Sequence, residues 1–298
     1  MYKFNQIYQE IYKNSGKELE ELRKHNQKKI ISVILISVAI AILTIYITKS
    51  VAFITLILAV DVIILCFSKS GKNYRKMFKE KIIKEFIKSY SDKLEYYPQM
   101  GIASRIYINS EFERFDNYYS EDYIQGTILD NLKFSMAEVH TEREDEDDEG
   151  NTSTYTLFHG LFAEIELTKF VGFNMKIRTN TILDGKIFNQ KTKLEMDSAE
   201  FEKIFDVHTT DKIKCMQILT ADIMQMLIDF KIKNKVIPEM TLKENKLYIR
   251  FNTGSVFEPK FTKRALDYDM LNKYYNIINF TLELSEKFSK NILEMDIE

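Results

Sequence analysis

IISVILISVAIAILTIYIT (Ile30–Thr48) and VAFITLILAVDVIILCF (Val51–Phe67) are two apolar runs separated by a few residues that include Lys49. The first holds no charge and the second holds only Asp61. Nineteen helical residues reach about 28 Å, close to the hydrocarbon thickness of a bilayer. Lipid offers backbone N–H and C=O groups no partner, so runs of this kind are helical. Neither has the polar face expected of a helix buried in a soluble domain. The reading is a transmembrane hairpin with spans at residues 30–48 and 51–67. The first run begins about thirty residues in, is too long for a signal-peptide core and lacks a small-x-small cleavage site.

The flanks orient the hairpin. Arg23, Lys24, Lys28 and Lys29 precede it, and Lys69, Lys72, Arg75, Lys76, Lys79 and Lys81 follow it. The connecting turn carries only Lys49. Basic residues collect on the cytoplasmic side, so both termini are expected there, in the inner or plasma membrane. Asp61 costs on the order of 3 kcal/mol near the middle of a span. It lies as far after Lys49 as Ser37 lies before it, which makes an Asp61–Ser37 polar contact the expected compensation. With no second ionisable group at that depth, a proton relay is the weaker reading.

Charge is split along the chain. Residues 1–95 carry 17 basic and 9 acidic side chains, and the remainder carries 25 and 35. A basic base suits anionic lipid headgroups. The acidic remainder lacks the basic footprint that nucleic acid requires. Two distant cysteines, Cys66 and Cys215, without CxxC spacing, suit reduced thiols in the cytoplasm.

Periodicity divides the rest. Phe4, Ile7, Tyr8, Ile11 and Tyr12 make an amphipathic helix within residues 1–29. Tyr74, Phe78, Ile82, Phe86 and Tyr90 recur every four residues along a basic stalk, residues 68–95. From residue 96 the pattern is α+β. Strands are expected at Arg105–Asn109, Tyr123–Leu129, Phe134–His140, Tyr155–Glu166, Asn174–Arg178 and Lys193–Met196 of a mainly antiparallel sheet. Turns are expected at Asp130–Asn131 and Asp184–Gly185. A short helix follows Ser198 through Phe201 and Phe205, and a longer one follows Thr220. A hairpin, Ile237–Leu242 and Leu247–Phe251, turns at Glu244–Asn245, and a long helix occupies about Lys263–Asn291.

The search for chemistry returns candidates rather than motifs. Seven acids in Glu142–Glu149 partly match a calcium loop, but the twelfth position is Thr156 where a bidentate Glu belongs. A solvated hairpin loop is the better reading. There is no HExxH, no GxxxxGK[ST], no GxGxxG and no GxSxG. Cys215 follows Lys212 and Lys214 but reads as a buried structural thiol. His140 and His159 are candidate neighbours across a hairpin. Glu121 and Asp122 are adjacent acids among tyrosines, and Gly126 nearby would permit a bulge or close packing. Glu121, Asp122, His140 and His159 are therefore the candidate ligand or partner surface. No catalytic residue, metal site or cofactor is assigned.

Several stretches resemble the bacterial membrane proteins of the domain of unknown function 3137 family. They are Tyr118-Tyr-Ser-Glu-Asp-Tyr-Ile-Gln-Gly126, Leu157-Phe-His-Gly-Leu-Phe162 with Thr168-Lys-Phe170, and Glu200-Phe-Glu-Lys-Ile-Phe-Asp-Val207. They continue through Asp211, Ile218-Leu-Thr220 and Phe257-Glu-Pro259. The family pattern often has Gly where Glu121 stands and Ala-Arg at Cys215–Met216. The resemblance implies a two-pass membrane protein of unassigned activity and transfers no catalytic residue. The leading expectation is a cytoplasmic binding or scaffolding domain on a membrane hairpin. It would contact lipid through the hairpin and the stalk, and a protein partner or a second copy through the domain. The alternatives are a membrane-tethered metal-dependent hydrolase using Glu121 and Asp122 with His140 or His159, and an accessory subunit of a transporter docked through Asp61.

Overall fold

A computed structural model describes residues 2–48, 54, 57–58, 60–61, 69–129, 131–180, 192–259 and 264–295. The chain divides into two compact units, Met1–Ser89 with Phe257–Leu271, and Tyr90–Val256 with Asn272–Glu298.

The first unit is helical. Helix α1 runs through Tyr2–Ile11, a π turn at Tyr12–Gly16 and Lys17–Thr48. Its amphipathic start buries Phe4, Ile7 and Ile11. The Phe4 and Tyr8 rings each sit 5.1 Å from Tyr268, and the Tyr8 hydroxyl donates to the Leu266 carbonyl at 3.1 Å. Helix α2 comprises Lys69–Met77, a π turn at Phe78–Ile83 and Lys84–Lys88. The four-residue repeat buries Tyr74, Phe78, Ile82 and Phe86. Some of the flanking cations are ion-paired inside this unit: Arg75 and Lys79 to Glu258 at 2.8 and 2.9 Å, and Lys81 to Glu18 at 2.6 Å. The stalk helix expected over residues 68–95 ends at Lys88, and Leu94–Tyr97 is a strand.

The apolar run Ile30–Thr48 lies wholly in α1. Leu35, Ile42 and Tyr46 are 63, 63 and 84% exposed, the reverse of a globular core helix. Among the described residues, one helix is long and apolar enough to cross a membrane. Of the second run, Ile54, Ile57, Leu58, Val60 and Asp61 are helical. The rest of Val51–Phe67 and the turn at Lys49 lie outside the described residues, so one helix able to span is described and a hairpin of two is not. The Ser37 hydroxyl donates to the Val33 carbonyl of its own helix at 3.0 Å. Asp61 Oδ2 is buried without a hydrogen-bond partner among the described residues, so the expected Asp61–Ser37 hydrogen bond is not formed at this oxygen.

The second unit is built on nine antiparallel strands in the order β1-β2-β3-β4-β9-β8-β5-β7-β6. They are β1 (Leu94–Tyr97), β2 (Asn117–Ile128), β3 (Leu132–Glu146), β4 (Thr152–Glu166), β5 (Met175–Thr179), β6 (Lys193–Leu194), β7 (Phe205–Thr209), β8 (Pro238–Lys243) and β9 (Lys246–Asn252). The helices are α3 (Ser104–Asn109), α4 (Ala199–Glu202), α5 (Lys212–Ile218), α6 (Ala221–Asn234) and α7 (Tyr268–Glu294), which belongs to this unit from Asn272 onward. The fold is mixed helix and antiparallel sheet, as expected.

Alternation along the strands gives the sheet two faces. One carries Ala137, Val139, Phe158, Phe162 and Tyr248, packed with Ile102, Tyr107 and Phe112. The other carries Phe251, whose ring meets Phe230 of α6 at 5.6 Å and Phe280 of α7 at 6.0 Å.

Further expectations fail. Arg105–Asn109 lies in α3, because Ala103 is extended and the chain coils immediately after it. Phe205 begins β7 instead of ending a helix, since Phe205 and Val207 fall on one buried face two residues apart. Ser198 does cap α4, accepting from Phe201 N at 3.3 Å. Thr220 precedes α6 but its hydroxyl donates to Asp222 instead of capping. The turn at Asp184–Gly185 lies outside the described residues.

Candidate functional site

The β2–β3–β4 meander places the expected residues on one surface. Register pairs Tyr119 with His140, His140 with His159, and Glu121 with Glu138. Tyr119, His140 and His159 therefore form one rung, with Glu121 and Glu138 on the next. The two imidazoles stack with centroids 4.5 Å apart. His159 Nε2 lies 2.8 Å from Glu138 Oε1, and Val256 N donates to Glu138 Oε2 at 2.7 Å. His140 turns outward, with Nε2 3.0 Å from Thr156 Oγ1 and 3.4 Å from Glu142. A shallow pocket of about 350 Å³ opens over Tyr119, Glu121, Glu138, His140, His159 and Ser255.

Asp122 joins this group through a β-bulge. Pairing shifts between Glu121 and Ile124, and Asp122 takes φ 60°, in the left-handed region. The bulge turns consecutive acids toward one point instead of opposite faces. Asp122 is fully buried and accepts from the Tyr96 hydroxyl. One carboxylate oxygen each from Glu121, Asp122 and Glu138 lie within 4.8 Å of one another, a spacing that could hold a metal ion. Gly126 follows in the regular pairing beyond the bulge, and a Cβ there would stand 2.0 Å from the Lys93 carbonyl.

Other candidates resolve differently. The acidic run forms the outer ends of β3 and β4 and their turn. Asp147 accepts from Asn151 N and Nδ2 and from Glu149 N, which holds its carboxyl below the usual range. Cys215 is buried in α5, and that burial pushes its thiol up to about 12.

A second concavity, of about 740 Å³, opens on the opposite face of the sheet, and no residue of the candidate surface lines it. Arg178 of β5 and Arg250 of β9 line it, with Phe112 between them at 4.2 and 4.4 Å from the two guanidinium carbons. Arg250 binds Glu239 directly across the β8–β9 ladder at 2.7 Å, and also pairs with Glu113. Glu113 in turn accepts from the Tyr107 hydroxyl at 2.5 Å and from Thr141 at 3.0 Å. Arg178 donates to the Met240 carbonyl at 2.7 Å and to Thr241 Oγ1 at 3.0 Å. Its Nε is buried without an acceptor among the described residues. Burial pulls the Arg178 guanidinium down to about 10, which leaves it charged at neutral pH.

Sequence reasoning missed Glu138, Arg178 and Arg250. Each is a charged residue amid apolar strand positions, Met-Ala-Glu-Val, Ile-Arg-Thr and Ile-Arg-Phe, and that interruption was the available signal.

Residues 156–290 match the model of a family described as "Protein of unknown function (DUF3137)". The chain resembles the DUF3137 family. The DUF3137 match includes His159, Arg178, Glu239 and Arg250, whereas Glu121, Asp122, Glu138 and His140 precede it. No curated protein matches the chain. One solved structure, the crystal structure of the mycobacterial trehalose monomycolate transport factor A, TtfA, is similar at 8% identity, covering 73% of this chain and 93% of that one with a TM-score of 0.36. A likeness that slight carries no function across.

Proposed function

We propose that this protein is a membrane-anchored binding protein whose α+β unit faces the cytoplasm and takes up a protein partner or a small ligand. The observation that carries the reading is the exposed, uncharged surface of Ile30–Thr48, which water does not favour, in a chain that also folds a nine-stranded unit with two concavities that charged side chains line. The distribution of lysine and arginine around the apolar runs supports the orientation. The test is a pair of fusions after Glu298, one fluorescent only in the cytoplasm and one enzymatically active only outside. Fluorescence with membrane fractionation is the expected result; activity of the outer reporter ends this reading.

A second reading, a metal-dependent hydrolase, is favoured by one observation: Glu121, Asp122 and Glu138 converge within 4.8 Å, beside His159. Three carboxylates and an imidazole are a donor set suited to zinc or manganese. Calorimetric titration of the purified full chain with Zn²⁺ and Mn²⁺, repeated on Glu138→Gln, decides it. Stoichiometric binding lost in the variant supports the reading, and the absence of binding removes it.

A further inference from the structure

We propose that the arginine-lined cleft binds an organic anion with an apolar body, that is, a carboxylate or phosphate monoester carried on a chain or ring. The inference deepens the reading of this unit as a binding domain and rests on it.

Charge bookkeeping at the cleft is the first support. The three lining carboxylates already face cations: Glu111 pairs with Lys176 and Lys243, each at 2.6 Å, and Glu113 and Glu239 share Arg250, with Arg178 the second cation acting on them. Arg114, Arg143 and Arg178 line the same cleft, and none has an ion-pair partner among the described residues. Two guanidiniums without a carboxylate partner, Arg114 and Arg143, thus face one concavity beside the buried Arg178, in a stretch whose sequence after residue 95 is acidic. Like charges gathered in a partly enclosed site repel one another, and an oxyanion relieves that repulsion.

The Arg178 side chain is the second support. It is 3% exposed, its Nη atoms bind neutral oxygens, and its Nε–H has no acceptor among the described residues. A buried donor left unmade is costly, and native proteins rarely keep one. Guanidinium forks match carboxylate and phosphate oxygens.

The shape of the cleft gives the third. Its volume falls within the usual range for small-molecule sites, and Ile108, Phe112 and Leu157 supply apolar wall beside the arginines. Inorganic phosphate would leave that wall wet, and a neutral apolar molecule would leave the charge uncompensated.

The experiment uses the full chain in a nonionic detergent, titrated calorimetrically with 1-naphthyl phosphate, 1-naphthoate, 1-naphthol and inorganic phosphate. At least one naphthyl anion is expected to bind about tenfold or more tighter than naphthol and than inorganic phosphate. Arg178→Met is expected to weaken that binding by about tenfold or more. Because Arg178 also ties strand β8, a rim variant, Arg114→Ser with Arg143→Ser, accompanies it and is expected to keep the wild-type melting temperature while losing affinity. Equal binding of naphthol and the anions, anion binding that survives in both variants, or no binding of either anion overturns the proposal. The C-terminal fusions report on the membrane reading independently, so failure here and failure there are told apart.

Discussion

At the scale of single residues, the environment of Cys215 makes a direct prediction. Its thiol is fully buried and pushed up to about 12, so almost no thiolate exists at pH 8. In a Cys66→Ser background, native protein should resist an alkylating reagent at pH 8 and react fully once urea is added. Rapid labelling of the folded protein would show that α5 is not packed as described. Glu111 makes a second. The Lys176 and Lys243 ammonium groups hold its carboxyl at about 2, below the 4.5 of a free glutamate. A carboxyl depressed in the folded state contributes stability above its unfolded pKa, and that contribution is lost as pH falls through its folded pKa. Melting temperature should therefore decline between about pH 4.5 and pH 2, and Glu111→Gln should show a shallower decline. Parallel curves for the two proteins would mean that the triad contributes nothing in solution, as an exposed pair can.

At the scale of elements, close approach of strands decides tolerance. A Cβ on Gly160 would lie 2.0 Å from the Phe251 carbonyl, where β4 and β9 run side by side. Backbone cannot yield as a flexible side chain can, so Gly160→Ala should destabilise by about 1–3 kcal/mol, seen as a lower midpoint in urea. An unchanged midpoint would mean the ladder can separate there freely. Elements of this kind were legible in the sequence where the signal is local. The β8–β9 hairpin could be read because its strands alternate and Glu244–Asn245 sits between them; Glu244 adopts the positive φ of 58° that such a turn needs. His140 and His159 could be placed together because a single polar turn joins their strands. Arg105–Asn109 could not, because five residues with apolar positions at 106 and 108 satisfy a strand period as well as one helical turn. The arginine cleft was illegible for a different reason. Arg178 and Arg250 meet only because β8 lies between β5 and β9, and no local pattern reports strand order.

At the scale of the whole molecule, the prediction concerns which parts of the chain face which side of the bilayer. The exposed apolar surface of Ile30–Thr48 asks for lipid, and the cations that precede it include Arg23, which Glu20 binds at 2.7 Å. Ion pairing of Arg23 and Lys24 with Glu20 moderates the charge near the helix but leaves Lys28 and Lys29 to bias insertion. If residues 30–48 and 51–67 both cross, a probe at residue 49 is outside while residues 12 and 291 stay inside. Single cysteines introduced as Lys49→Cys, Tyr12→Cys and Asn291→Cys, each in a Cys66→Ser, Cys215→Ser background, convert that arrangement into labelling by an impermeant maleimide. Tyr12 is 42% exposed in α1 and tolerates the change, and Asn291 lies near the end of α7. In intact cells only Lys49→Cys should label, and the other two should label only after permeabilisation. Labelling of Asn291→Cys but not Tyr12→Cys in intact cells would instead mean a single crossing with the acidic unit outside, which would keep the apolar helix as an anchor while moving both concavities to the other compartment.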